Sequence, residues 1–161
     1  GGWDPKEREC QLDTDLELLL PDQYINFVEE RLRIYRELND LKEEAQLQTY
    51  VAGLVDRFGA LPPQAERLMT SLRLRWLGQS LGFDKMVLKA GKLLCYFPEE
   101  AHEAPPQEVL MNFLAKIQAF PQRYRMKQKG PRISLVVDHI PTVQDAFVTL
   151  TELSSAPKIA P

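Results

Sequence analysis

Hydrophobic positions along the chain change their spacing several times, and each change marks an element. Ile25, Val28, Leu32 and Tyr35 recur at intervals of three and four, which predicts one stripe of a helix. Asn26 and Glu29 have capping-box spacing at its start. Leu38-Asn39-Asp40 interrupts the stripe, and Asp40 with Glu43 repeats the capping signal. Leu47, Val51, Leu54 and Phe58 form a second stripe, in which Phe58 is expected to plug the core. Gly59 suits the end of that helix, and Pro62-Pro63 cannot continue it. Pro63 suits the first turn of a third helix. There Ala65, Leu68, Met69, Leu72, Trp76 and Leu77 make a wide apolar face, closed by Gly82.

The pattern then shortens. Met86-Val87-Leu88 and Leu93 to Phe97 are apolar runs separated by Ala90-Gly91, a hairpin signal. An acidic stretch follows Pro98, and Pro105-Pro106 opens a helix carrying Leu110, Phe113, Leu114 and Ile117. Pro121 ends it. Residues 124–128 and 133–137 read as a second hairpin turning at Gly130-Pro131. Thr142 with Asp145 starts a last helix, bearing Val143, Ala146, Phe147, Leu150 and Leu153. Residues 1–20 read as an N-terminal linker or extended tail, with a short edge strand within 11–18. Residues 21–153 read as one domain and 154–161 as a C-terminal tail. The expected fold class is α+β, a single domain of about five helices with two short β-hairpins.

Composition acts mainly by exclusion. The chain has 161 residues, enough to bury a full core without disulfide or metal. No apolar run is long enough to span a membrane, and Gly1-Gly2-Trp3-Asp4 lacks a secretory signal. Only two cysteines, Cys10 and Cys95, and two histidines, His102 and His139, occur. Their spacing fits no zinc site and suggests a reducing, cytoplasmic setting with no cofactor and no metal. The net charge is −3 but unevenly spread. Residues 1–60 hold 14 acids and 7 bases, while residues 61–161 hold 9 acids and 13 bases.

Catalytic signatures are absent. There is no phosphate loop, no G-x-G-x-x-G, no H-E-x-x-H and no G-x-S-x-G. Cys95 lies in an apolar run and reads as a buried structural thiol. His139 beside Asp138 has no nucleophile at readable spacing, His102 lies in an acidic loop, and adjacent Glu99 and Glu100 could pair only by accident of loop shape. No small-molecule substrate is indicated, and the chain reads as non-enzymatic. Two surface features remain. Arg123, Arg125, Lys127 and Lys129 alternate along one strand, with Arg132 past the turn. This ribbon could grip nucleic-acid phosphates or simply be a solvated face that protects a sheet edge. The other feature is Asp56-Arg57-Phe58-Gly59 at the end of the second helix. Pairing of Arg57 with a nearby acid and burial of Phe58 account for most of it, leaving Asp56 unexplained.

Four pieces occur in a familiar order: residues 19–25 (LLPDQYI), Arg31-Leu32 with Tyr35-Arg36, residues 54–62 (LVDRFGALP) and residues 81–85 (LGFDK). Over about residues 12–153 the chain resembles the TRCF family, the C-terminal domain of the bacterial transcription-repair coupling factors (Mfd). The parent is an ATP-dependent DNA translocase that displaces stalled RNA polymerase and recruits UvrA and nucleotide-excision repair. The resemblance implies a non-catalytic, autoinhibitory domain that packs on the UvrB-like N-terminal module of its own parent chain and masks the UvrA-binding surface. It implies that acids in the helix before Asp-Arg-Phe-Gly make the interdomain contact. Asp56 carries over, while Gly53 stands where the family usually has Glu. Glu43 and Glu44 are the next acidic positions for such a contact, and the alternative role is a nucleic-acid or RNA-polymerase contact made by the basic 123–132 ribbon.

Overall fold

The computed structural model describes residues 9–99 and 107–154. His102, Glu100 and the Pro105-Pro106 helix signal lie outside them. In chain order the elements are β1 (Gln11–Thr14), α1 (Val28–Asp40), α2 (Glu44–Phe58), α3 (Pro63–Ser80), β2 (Lys85–Lys89), β3 (Lys92–Tyr96), α4 (Gln107–Ala119), β4 (Tyr124–Lys129), β5 (Arg132–Val137) and α5 (Val143–Ser154). The sheet runs β1-β2-β3-β5-β4, with β1 parallel to β2 and every other pair antiparallel. This is an α+β domain of five helices and two hairpins, β2–β3 and β4–β5. The extended segment read near the N-terminus is β1, which forms one sheet edge and buries Cys10 beside it.

Strand alternation divides the sheet into two unlike faces. Met86, Leu88, Leu93, Cys95, Leu135, Val137 and Tyr124 point to one side. There they join α3, α4 and α5 residues such as Leu74, Phe113, Ile117, Ala146 and Leu150 in one core. A second core lies among α1, α2 and the first half of α3, built from Ile25, Ile34, Leu38, Leu47, Leu54, Ala65, Met69 and Leu72. α3 belongs to both: its first turns face the helices and its last turns face the sheet. Its apolar residues therefore wrap around the helix, as the wide face in the sequence suggests.

Gly78 is the point of closest approach between α3 and the sheet. A Cβ there would stand 2.8 Å from Met86 Sδ and 3.2 Å from Cys10 Sγ. Met86 is fully buried, so its thioether end would have to shift within the packed core to admit the methyl group. Gly78→Ala would improve helix propensity but overpack this contact, so the substitution is expected to cost ~1–3 kcal/mol. A urea midpoint unchanged or raised relative to the parent chain would disprove the close-packing account.

α1 departs from the stripe read in the sequence. Val28 and Leu32 are 58% and 48% exposed, whereas Ile34 and Leu38 are buried. Both sides of α1 are apolar, and side-chain contacts with α2 select between them. Tyr50 of α2 donates to Glu37 at 2.5 Å, and Arg57 pairs with Glu30 at 2.9 Å. These bonds form beside the side of α1 that packs inward, where Ile34 and Leu38 join Leu47 and Leu54 in one core. The capping signals also resolve differently. α1 begins after Phe27 and α2 after Glu43, neither with a side-chain cap. Asn26 instead offers its backbone carbonyl to Arg31 Nη1 at 3.1 Å, and near Asp40 it is Gln46 that reaches back, accepting from the Lys42 N–H at 2.7 Å. At α5 the signal is realised: Thr142 Oγ1 accepts from the Asp145 N–H at 3.0 Å.

Candidate interdomain contact surface

The end of α2 is built around Gly59, whose φ of +90° lets the chain leave the helix where a side chain would strain it. Tyr24 donates its hydroxyl to the Gly59 carbonyl at 2.8 Å, anchoring the 19–25 segment to this turn. Its ring lies 5.8 Å from that of Phe58. Phe58 is only half-buried and packs on the rim of the second core. It is therefore a cover for that core, not the plug expected from its place in the stripe. The reason is position: Leu47 and Leu54 occupy the centre, and the helix ends as Phe58 reaches the edge. Arg57 lies over the Phe58 ring at 4.7 Å while pairing with Glu30. The paired reading of Arg57 thus matches its geometry.

Asp56 points the other way. It is exposed and makes no hydrogen bond or ion pair among the described residues. Helical spacing puts Ala45, Thr49, Ala52 and Gly53 on the same outward side, all exposed. A Cβ at Gly53 would meet nothing within 4 Å, so a larger residue is sterically free to stand there. A groove of about 470 Å³ runs alongside, between α2 and α3, lined by residues including Val51, Ala52, Met69 and Arg73.

Glu43 and Glu44 lie at the opposite end of α2. Twelve residues separate Glu44 from Asp56, which is ~18 Å along the helix axis. Glu44 is also committed: Arg73 of α3 holds it through bonds of 2.7 and 2.9 Å. That pairing keeps its carboxyl below the usual glutamate range. Its small stabilising effect is complete above that range and fades as pH falls through the lowered value. Glu43 is exposed, and its carboxylate makes no hydrogen bond or ion pair among the described residues. The three acids therefore do not form one cluster.

The basic ribbon is also partly dismantled by its neighbours. Arg123 precedes β4 and swings to the helical side, where it meets Thr149 at 3.2 Å and Glu152 at 3.4 Å. Arg125 is held by both Asp138 oxygens at 3.1 and 2.8 Å. Arg132 pairs with Asp84 at 2.8 Å and stacks over Tyr96 at 5.1 Å. Lys127 and Lys129 are left exposed without partners among the described residues. Tyr124 faces the core, as alternation requires.

Among the described residues the remaining reactive groups are two buried thiols and a turn histidine. Cys10 and Cys95 are free thiols 3% and 0% exposed. Burial, with a contribution from Asp84, pushes the Cys10 thiol up to about 12, and burial pushes Cys95 well above its ordinary value. Both thiols should therefore react with a disulfide reagent at pH 8 at least ~100-fold more slowly in the native chain than in urea, since reaction waits on opening. Fast native labelling of either would contradict this burial. His139 sits in a left-handed turn at φ +61°. Among the described residues no group of three His, Cys, Asp or Glu side chains could hold a metal, and no helix is long and apolar enough to cross a membrane.

Comparison with known proteins places this architecture. The TRCF domain family model matches residues 14–108, from the end of β1 into α4. The transcription-repair-coupling factor of Escherichia coli is 31% identical over 136 residues, covering 84% of this chain and 11% of that protein. The Haemophilus influenzae factor is 29% identical over 136 residues, 81% of this chain and 10% of the relative. The chain thus spans about a tenth of the length of these relatives. A crystal structure of the C-terminal domain of a transcription-repair coupling factor superposes with a TM-score of 0.67, covering 91% of this chain and 94% of that one. Its 14% identity makes that a likeness of fold. With the family model spanning most of the described residues, this chain belongs to the TRCF domain family.

Proposed function

We propose that this chain is a non-catalytic regulatory domain of a transcription-repair coupling factor, and that it holds its parent inactive. In this reading α2 docks on the UvrB-like module of the same parent chain and covers the surface that UvrA would bind. The parent is an ATP-dependent DNA translocase that displaces stalled RNA polymerase, and engagement with polymerase opens the clamp. One observation carries the reading: Asp56 is an exposed carboxylate without a partner, on a helix face otherwise built of small residues. Small side chains allow close approach of another surface, and a bare carboxylate offers one oriented charge to a basic partner. An interface inside one chain is modest and polar, and a lock that must open is worth only a few kcal/mol. Both properties suit a surface with one strong charge and little apolar bulk.

The direct test mixes this chain with the separately expressed UvrB-like module of its parent and measures heat of binding. Association weakened by salt and by Asp56→Arg is the expected result. No association by the folded chain under low salt would sink the proposal.

A further inference from the structure

The sheet face turned away from α3, α4 and α5 carries no helix among the described residues, and most of its cations lie on two strands, β2 and β4. On β2, Lys85 and Lys89 flank Val87 on this face. On β4, Arg125, Lys127 and Lys129 follow one another at every second position. Between these strands lie β3 and β5, which bring Leu94, Tyr96, Ser134 and Val136 to the centre of this face. Their own cations, Lys92 and Arg132, sit at opposite ends of the strip and are held by Asp138 at 3.9 Å and Asp84 at 2.8 Å. Three inter-strand steps separate the two basic lines, ~14 Å at the usual strand spacing. Asp13 pairs with Lys89 at 3.1 Å and Asp138 pairs with Arg125, so acids temper each line. Lys85, Lys127 and Lys129 stay without partners among the described residues.

We propose that this open face is a secondary contact for duplex DNA. The uncompensated cations lie on the two flanking strands, while the cations of the strip between them are held by acids. The separation of the flanking strands approximates the ~12 Å width of the major groove, which two phosphate ridges flank in turn. The unpaired groups are lysines, which bind phosphate as point charges. A folded protein partner would need exposed apolar anchors at the centre of its interface. Here the central Val136 is 1% exposed, and the exposed large apolar side chains all lie elsewhere in the domain. Met126 and Ile133, the two on neighbouring strands, point to the helical side. The contact is sequence-independent and weak, because only three cations are uncompensated. It lies on the sheet, apart from α2, so it goes beyond the clamp and can stand or fall without it.

The experiment is fluorescence anisotropy of the 161-residue chain with a labelled 20-base-pair duplex at 25–150 mM salt. We expect measurable binding at low salt, with a log–log salt slope of about −3 for three neutralised phosphates. The triple variant Lys85→Gln, Lys127→Gln, Lys129→Gln should weaken it at least tenfold and flatten the slope, while Asp56→Arg should not weaken it. Because these lysines are surface residues, an unchanged thermal midpoint will confirm that the variant folds. The triple Lys→Arg variant should retain binding. Absence of binding at 25 mM salt, or binding indifferent to the triple variant, overturns the proposal. So does equal or tighter binding of the matching single strand, which has no groove to bracket. Displacement of the duplex by polyglutamate at equal charge concentration would reassign the face to an acidic protein.

Discussion

Phe83→Ala is expected to cost the domain about 3–5 kcal/mol, the range for removing a fully buried aromatic ring. Phe83 is 1% exposed and stands where the chain turns from α3 into β2. Its ring meets Phe97 at 4.8 Å and Phe113 at 5.8 Å, and those two meet each other at 5.9 Å. The trio ties α3, β3 and α4 together, so its loss would leave a cavity that three elements must collapse to fill. A domain of this size holds roughly 5–15 kcal/mol in all, and each kcal/mol shifts its melting temperature by ~2–4 °C. Equilibrium urea unfolding is the measurement, with Phe83→Leu as the milder companion at under ~1.5 kcal/mol. Phe58→Ala, at the rim, should cost ~1–2 kcal/mol, because its ring already meets solvent in the native state. If Phe58→Ala proved the more damaging, the assignment of centre and rim would be reversed.

In the full-length parent, Asp56→Arg is expected to raise UvrA affinity by on the order of 10-fold, while leaving the isolated domain within about 0.5 kcal/mol of its original stability. The two halves of this expectation come from different features. The Asp56 carboxylate is exposed and makes no hydrogen bond or ion pair among the described residues, so its replacement removes no such bond. A reversed charge opposite a basic surface turns attraction into repulsion, and a lock worth a few kcal/mol responds steeply to that. Gly53 leaves open space beside it, so Gly53→Glu is the complementary variant: it adds a second carboxylate without a clash and should tighten the clamp. UvrA binding measured for the three full-length proteins gives the answer. Unchanged binding in both variants, with the domain folded, would move the contact off this part of α2. Glu43 would then be the next position to reverse, since Glu44 is occupied by Arg73.

Much of this molecule is legible along the chain because local rules dominate there. Gly59, Pro63, Ala90-Gly91 and Gly130 announce turns that follow from allowed backbone angles, and the elements begin and end beside them. Alternation along β4 puts Tyr124 on the core side, opposite to Arg125. The ordered pieces LLPDQYI and LVDRFGALP foretold the family, and the structure shows why they travel together: Tyr24 of the first is hydrogen-bonded to Gly59 of the second.

Side-chain placement was less legible wherever two local solutions were equally good. α1 has apolar residues on two sides, and period alone ranks Val28-Leu32 with Ile34-Leu38. Packing of Ile34 and Leu38 against Leu47 and Leu54, distant in sequence, settles which side is buried, and the Tyr50–Glu37 and Arg57–Glu30 bonds form beside it. Asn26 and Asp40 stand at capping spacing, yet no cap forms at either, because the chain enters α1 and α2 one to three residues later. The basic ribbon shows the same limit. Charges at alternate positions are a property of the chain, but Asp138, Glu152 and Asp84 arrive from other elements and neutralise three of the five cations. The sheet order then sets β2 and β4 three strands apart, giving the remaining lysines a relation that no spacing along the chain contains. Backbone conformation depends on neighbours in sequence, and so could be read from residue order. The choice of buried face and the fate of each charge depend on neighbours in space, and those exist only once the domain has folded.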